Sequence, residues 1–194
     1  MAIEEPGYTV ESKTHSYEIR HYGPVIVAET RIESDFENAG NQAFHILAGY
    51  IFGANKSKTK IAMSAPVNQE IASENIEMTA PVTQSKSTSG FLVQFTMPKK
   101  YTLDSLPIPN DSRVLLRQLP ARKIAVYRYS GSWSESRYNE KLASFRKDMK
   151  SDGLETTGET VLARFNSPFQ LWFLRRNEIW IEVKEKPTIS GGKG

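Results

Sequence analysis

Apolar positions near the start of the chain recur with a period of two. In "SYEIRHYGPVIVAETRI", Tyr17, Ile19 and His21 share one phase, and Val25 and Val27 share the next. The Gly23-Pro24 pair between them marks a turn, so two short strands are predicted after an extended start at Tyr8–Val10. The period then changes. In "ESDFENAGNQAFHILAGYIFG", Phe36, Gly40, Ala43, Leu47, Tyr50 and Ile51 follow at three- and four-residue steps. That spacing predicts an amphipathic helix, capped by Ser34 or Asp35 and ended by Gly53. The same order returns roughly a hundred residues later. There, "SRVLLRQLPARKIAVYRYS" gives a strand ending at Leu119, a Pro-containing turn and a strand over Ile124–Tyr129. A helix capped by Ser134 or Ser136 follows, with Tyr138, Leu142, Phe145 and Met149 on one face and Gly153 at its end.

Further strands are predicted in "GFLVQFTMP", "ETVLARFN" and "RNEIWIEV". Runs of strands with only two helices point to an α+β fold with a largely antiparallel sheet. The chain divides into two similar halves, roughly 8–100 and 111–185, joined by the Pro-rich "TLDSLPIPNDS". Together they make one domain over 1–190, and the polar tail, 186–194, is expected to be disordered.

One phrase is written twice, as "KIAMSAPVNQ" at 60–69 and "NIEMTAPVTQ" at 75–84. In extended conformation Ile61, Met63, Ala65 and Val67 share a face, as do Ile76, Met78, Ala80 and Val82. Pro66 and Pro81 cannot donate to a ladder, so they mark an edge, a bulge or a loop entry. Two readings stay open: edge strands whose methionines pack the core, or a pocket rim lined by Met63 and Met78. The second copy is expected to pair with "GFLVQFTMP" across the turn "SKSTSG".

Composition narrows the function. The 194 residues are 39% hydrophobic and 24% charged, as in an ordinary soluble domain. The net charge of +3 is small, and bases alternate with acids, so no basic stripe for nucleic acid is visible. A mild positive bias still suits an acidic small ligand. With no cysteine there is no disulfide, thiolate-bound zinc, iron–sulfur cluster or thiol nucleophile. The N-terminus lacks a secretory pattern, and no apolar run approaches the ~20 residues of a membrane span. A cytoplasmic monomer that binds neither membrane nor nucleic acid is expected. No Gly-x-Ser-x-Gly, His-Glu-x-x-His or phosphate-binding Gly-rich loop is present, so no catalytic residue is assigned and the chain is not expected to be an enzyme. Glu29, Glu33, Glu37 and Glu178 are the acids that a hydrolytic use of this architecture would need.

Several segments together resemble the SOUL heme-binding protein family. They are "YEIRHYGPVIVAET", "KIAMSAPV", "IEMTAPVTQ", "FTMPKKYTLDSLPIPND", "NSP" at 166–168 and "RRNEIWIEV", in family order over roughly residues 8–184. The resemblance implies two pseudo-repeated halves, each of about four antiparallel strands and one helix, forming a distorted β-barrel-like sheet flanked by two helices. It also implies non-catalytic binding of heme or a related tetrapyrrole in an apolar cleft, for buffering or transport. The doubled phrase looks like a bacterial-type member. The family is similar in shape to effector-binding domains that take hydrophobic cations, so sequestering other hydrophobic small molecules is the alternative, and an enzyme using the same cleft is another.

A porphyrin needs apolar walls, cations for its propionates and, optionally, an axial ligand. The first helix, with Phe44 and Tyr50, is one candidate wall, and Met63 and Met78 are a rim. Phe165, Phe169, Trp172 and Phe173 form either a binding lip or a cap on the open end of the barrel. Arg175 and Arg176 are placed to meet carboxylates, or to pair with Glu178. His21 is the candidate iron ligand, being in phase with inward positions. His45 falls opposite its helix's apolar face and His15 sits in a polar turn, so both are set aside.

Overall fold

The computed structural model describes residues 3–58, 73–166 and 170–184, apart from the side chains of 157 and 158. The first copy of the doubled phrase with Met63, the loop residue Phe169 and the 186–194 tail lie outside the described residues. The predicted period-two segments become β1 (Tyr8–Lys13), β2 (Tyr17–Tyr22) and β3 (Val25–Ile32). Helix α1 (Phe36–Ile51) follows, then β4 (Asn55–Lys56), β5 (Val82–Ser87), β6 (Gly90–Thr96) and β7 (Ile108–Pro109). The second half contributes β8 (Leu115–Leu119), β9 (Arg122–Tyr129), α2 (Glu135–Ser151), β10 (Thr156–Arg164) and β11 (Asn177–Val183).

Among the described residues, nine strands form one sheet in the order β1-β2-β9-β11-β10-β5-β6-β3-β8, and all their pairings are antiparallel. The sheet curls into a half-barrel with two helices, so the fold is α+β. Leaving β1 aside, the order reads the same from either end once the halves are exchanged, with β2 answering β8, β3 answering β9, β6 answering β11 and β5 answering β10. The strands on either side of the Gly23-Pro24 turn do not pair with each other, nor do those on either side of the turn at Pro120. β2 joins β9 and β3 joins β8, so each half lends its first strand to the other.

Each helix forms where its caps and apolar face agree. The Asp35 carboxylate accepts the backbone N–H groups of Glu37 and Asn38, closing the start of α1. All six apolar-face positions predicted for α1 are buried, and so are all four of α2. Both helices cover one face of the sheet, where Phe36, Leu47, Phe91, Val93, Phe145, Leu162 and Ile179 form the main core. The opposite face carries a smaller cluster built on Tyr22, Val126, Ala163, Phe165 and Trp180. The central strand β11 is therefore buried on both sides.

The second copy of the doubled phrase is only half strand. β5 starts at Val82, directly after Pro81, and pairs with β6 across Thr88-Ser89. Residues 76–80 before it are irregular, because a proline supplies no N–H to extend the ladder.

Candidate functional site

A cavity of about 370 Å³ opens where α1, the 78–82 segment and the end of β10 meet. Phe44, Met78, Ala80, Val82, Trp133 and Phe165 supply most of its wall, with Ile3 closing one side. Among the described residues that line it there is no Asp or Glu. The volume lies in the range of small-molecule sites, ~300–1,000 Å³.

The N-terminal segment reaches this cavity because two hydrogen bonds hold it down. Ala80 N–H donates to the Glu4 carbonyl at 2.9 Å, and Lys99 N–H donates to the Glu4 carboxylate at 2.9 Å. Trp133 is fixed by its indole N–H, which donates to Asn177 Oδ1 at 2.8 Å; Asn177 is itself fully buried. The guanidinium groups of Arg175 and Arg164 lie 4.3 and 5.0 Å from the Trp133 ring centroid, within cation–π range.

Arg164 ends β10 on the same face as the core residue Leu162. Its Nη2 donates to Gln84 Oε1 at 3.0 Å, while Gln84 Nε2 donates to the Phe36 carbonyl in the first turn of α1 at 2.8 Å. The Arg164 Nε is buried with no hydrogen-bond partner. Burial pulls the guanidinium's pKa down to about 10, which leaves it a cation at neutral pH.

Of the residues singled out from the sequence, Phe44, Met78 and Phe165 come together in this cavity. Tyr50 does not: it is 1% exposed in the core, and its hydroxyl donates to the Pro107 carbonyl at 2.9 Å. Trp172 and Phe173 sit on a one-turn 3-10 helix, 56% and 52% exposed and edge-on to each other, outside the cavity lining. Arg175 packs on Trp133 and donates from Nε to the Gln170 carbonyl. Arg176 takes the ion-pair alternative: it grips Glu5 through both Nη atoms, and its Nε donates to Glu178 at 3.1 Å.

His21 and His45 both lie at the surface of the described structure. His21 lies outside the helix-covered core, 44% exposed at the side chain, and pairs with Glu11, which also holds Lys123. Its neighbours across the sheet are Thr9 and Lys123, and the helix layer that buries Tyr17 and Ile19 ends before it. His45, set aside as solvent-exposed, is exposed but borders the cavity beside Phe44. A helix neighbour of a lining residue borders the same opening even when it points away from the core.

The candidate carboxylates lie elsewhere. Glu33 and Glu37 are exposed, and Glu29 is buried against Gln94 and Arg117. Glu178, with 0% exposure, bonds Arg20, Arg176 and the Trp180 indole on the far side of the sheet. The sequence reading missed Ile3, Trp133 and Arg164. For Arg164 a signal existed: a cation at an inward strand position of "ETVLARFN".

The sequence profile of the SOUL heme-binding protein family matches residues 3–182. The chain belongs to this family. It is similar to "Heme-binding protein 2" of Homo sapiens, with 31% identity over 97% of this chain and 90% of that protein. Among solved structures it is similar to the C-terminal domain of EcmrR, with TM-score 0.59 and 11% identity over 92% of this chain and 99% of that one. It is also similar to a structure titled as a hydrolase from Listeria innocua, with TM-score 0.56 and 13% identity over 90% and 94%. At such identities the two structures share the fold and nothing further is carried over. No helix among the described residues is long and apolar enough to cross a membrane.

Proposed function

We propose that the chain binds heme or a related tetrapyrrole, without turning it over, in the cavity between α1 and the end of β10. The observation that carries this reading is a cavity walled by Phe44, Met78, Trp133 and Phe165, with Arg164 and no acidic side chain among the described lining residues. Flat apolar walls match a macrocycle, and the Arg164 guanidinium on the cavity lining faces its acid groups. A bound heme would supply its own iron chemistry, and His45 is the described histidine nearest to that use. Binding without turnover fits the carboxylate positions, since the buried Glu178 is held by two arginines on the other face of the sheet.

For the alternative, a module that sequesters hydrophobic small molecules, a cationic ligand would need an acidic group where the described lining of this cavity presents guanidinium. Hemin titration followed by the Soret band tests the proposal. Saturable binding at micromolar protein is expected, weakened at least tenfold by Phe44→Ala or Phe165→Ala. An absence of saturable binding sinks it.

A further inference from the structure

Among the described residues, two arginines, Arg137 and Arg164, keep a buried Nε without a hydrogen-bond partner, whereas Arg20 and Arg176 are held by carboxylates. Arg20 bonds Glu18 and Glu178, and Arg176 bonds Glu5 and Glu178. Arg164 has no carboxylate partner among the described residues, and one of its donors, Nε, meets nothing. The nearby cation Arg175 acts on it with the same sign. Orphaned donors of this kind call for an explanation, because a buried, uncompensated charge is costly. Room has also been made for this group. A Cβ at position 40 would stand 2.5 Å from Arg164 Nη1 and 3.1 Å from Gln84 Oε1, so the guanidinium holds this position against a glycine and any side chain there would displace it. A mid-helix glycine is itself unfavourable, which makes its placement here informative.

We infer that the cavity takes its ligand acid end first, with a ligand carboxylate seated on the Arg164 guanidinium deep beside Gly40, rather than with its acids turned out to solvent. This rests on the proposed ligand cavity and adds the ligand's chemistry: a flat apolar body with at least one carboxylate. Gln84 holds the guanidinium from one side through Nη2, and Trp133 supports it through its ring. The unpartnered Nε and its neighbouring N–H are then the pair that a carboxylate accepts from in parallel. A neutral or cationic ligand of equal shape leaves that charge uncompensated and is rejected.

The test compares protoporphyrin IX with its dimethyl ester by quenching of tryptophan fluorescence, in the wild-type chain and in Arg164→Gln. The free acid is expected to bind at least tenfold tighter than the diester, and Arg164→Gln to erase the difference. Equal binding of acid and diester by the wild type, or a preference that survives Arg164→Gln, overturns the carboxylate seat while leaving tetrapyrrole binding intact. If neither porphyrin binds, the tetrapyrrole reading has failed on its own, and 1-pyrenebutyrate against 1-pyrenebutanol decides the seat. A preference for the acid that Arg164→Gln abolishes upholds it; equal binding of both, or binding of neither, overturns it. The wild-type acid-to-ester comparison needs no variant, so the test stands even if Arg164→Gln misfolds, which circular dichroism would show.

Discussion

The guanidinium of Arg164 occupies the space that any side chain on Gly40 would fill, 2.5 Å from an ideal Cβ there. A helix and a strand far apart in sequence are thereby made complementary around one charge. Gly40→Ala gains helix propensity worth about 1 kcal/mol. It also forces the far end of a flexible side chain to move. Global stability in urea should therefore change by less than about 1 kcal/mol. The displaced guanidinium no longer faces the cavity in register, so affinity for protoporphyrin IX should fall at least tenfold. A variant that binds normally would show that the contact has no part in the site.

Glu178 is the hub of a buried ion cluster, accepting from Arg20, Arg176 and the Trp180 indole. Glu178→Gln keeps the shape and removes the charge that balances two guanidinium groups. Stability should drop by about 3–5 kcal/mol, as for other broken buried pairs. Urea unfolding measures it, and a loss below about 1 kcal/mol would mean that solvent reaches the cluster. Tetrapyrrole affinity of the folded fraction should be unchanged, because the cluster lies across the sheet from the cavity.

Burial pushes the phenols of Tyr22 and Tyr129 up to about 12, with Arg20 opposing the push at Tyr22 and Arg164 opposing it at Tyr129. Both groups hold their protons more tightly folded than unfolded, where the value is about 10. Their contribution is complete below pH ~10 and is lost as pH rises towards ~12, because the unfolded chain ionises first. Alkaline titration should show a stability loss of about 2–3 kcal/mol per tyrosine across that window. Tyr129→Phe should remove its share of the slope. It should also be neutral or slightly stabilising at pH 7, since the Tyr129 hydroxyl is buried without a partner.

His21 is held at the surface by Glu11, away from the cavity, whereas His45 borders it. His21→Ala should therefore leave the Soret maximum of the hemin complex where it is. A shift on His21→Ala would overturn the assignment of the cavity as the heme site.

Trp172 and Phe173 are more than half exposed and meet edge-on. Replacing either with serine should change stability by less than about 0.5 kcal/mol. Hemin affinity should stay within twofold, and a larger loss in either titration would show that the exposed turn folds onto the ligand.

The order of elements was legible in the sequence because strand and helix periods are local. Phe36 through Ile51 and Tyr138 through Met149 announce their buried faces by spacing alone, and the Asp35 cap fixes where the first helix begins. Family membership was legible for a similar reason, since "IEMTAPVTQ" and "RRNEIWIEV" are contiguous strings. Phe44 follows from the first helix as a candidate wall, Met78 from the doubled phrase and Phe165 from the aromatic segment before "RRNEIWIEV".

What periodicity could not decide was the company each residue keeps. His21 shares the phase of Tyr17 and Ile19, yet it is exposed, because phase names a face of the strand and not how far the helix layer extends over it. The sequence leaves Arg175 and Arg176 open between ligand carboxylates and Glu178; the structure gives Glu178 to Arg176, and Arg20, 158 residues from Glu178 in sequence, completes the cluster through the crossing of β2 to β9. The exchange of first strands between the halves is likewise invisible in a turn signal such as Gly23-Pro24. Arg164 is the sharpest case. Its strand position was written in the sequence, but its lack of a counter-charge depends on Gly40, Gln84 and Trp133 arriving around it from three other parts of the chain. Local sequence sets which face a side chain takes, through the fixed geometry of helix and strand. Charge compensation and cavity shape are sums over neighbours from distant segments, and only the tertiary structure performs that sum.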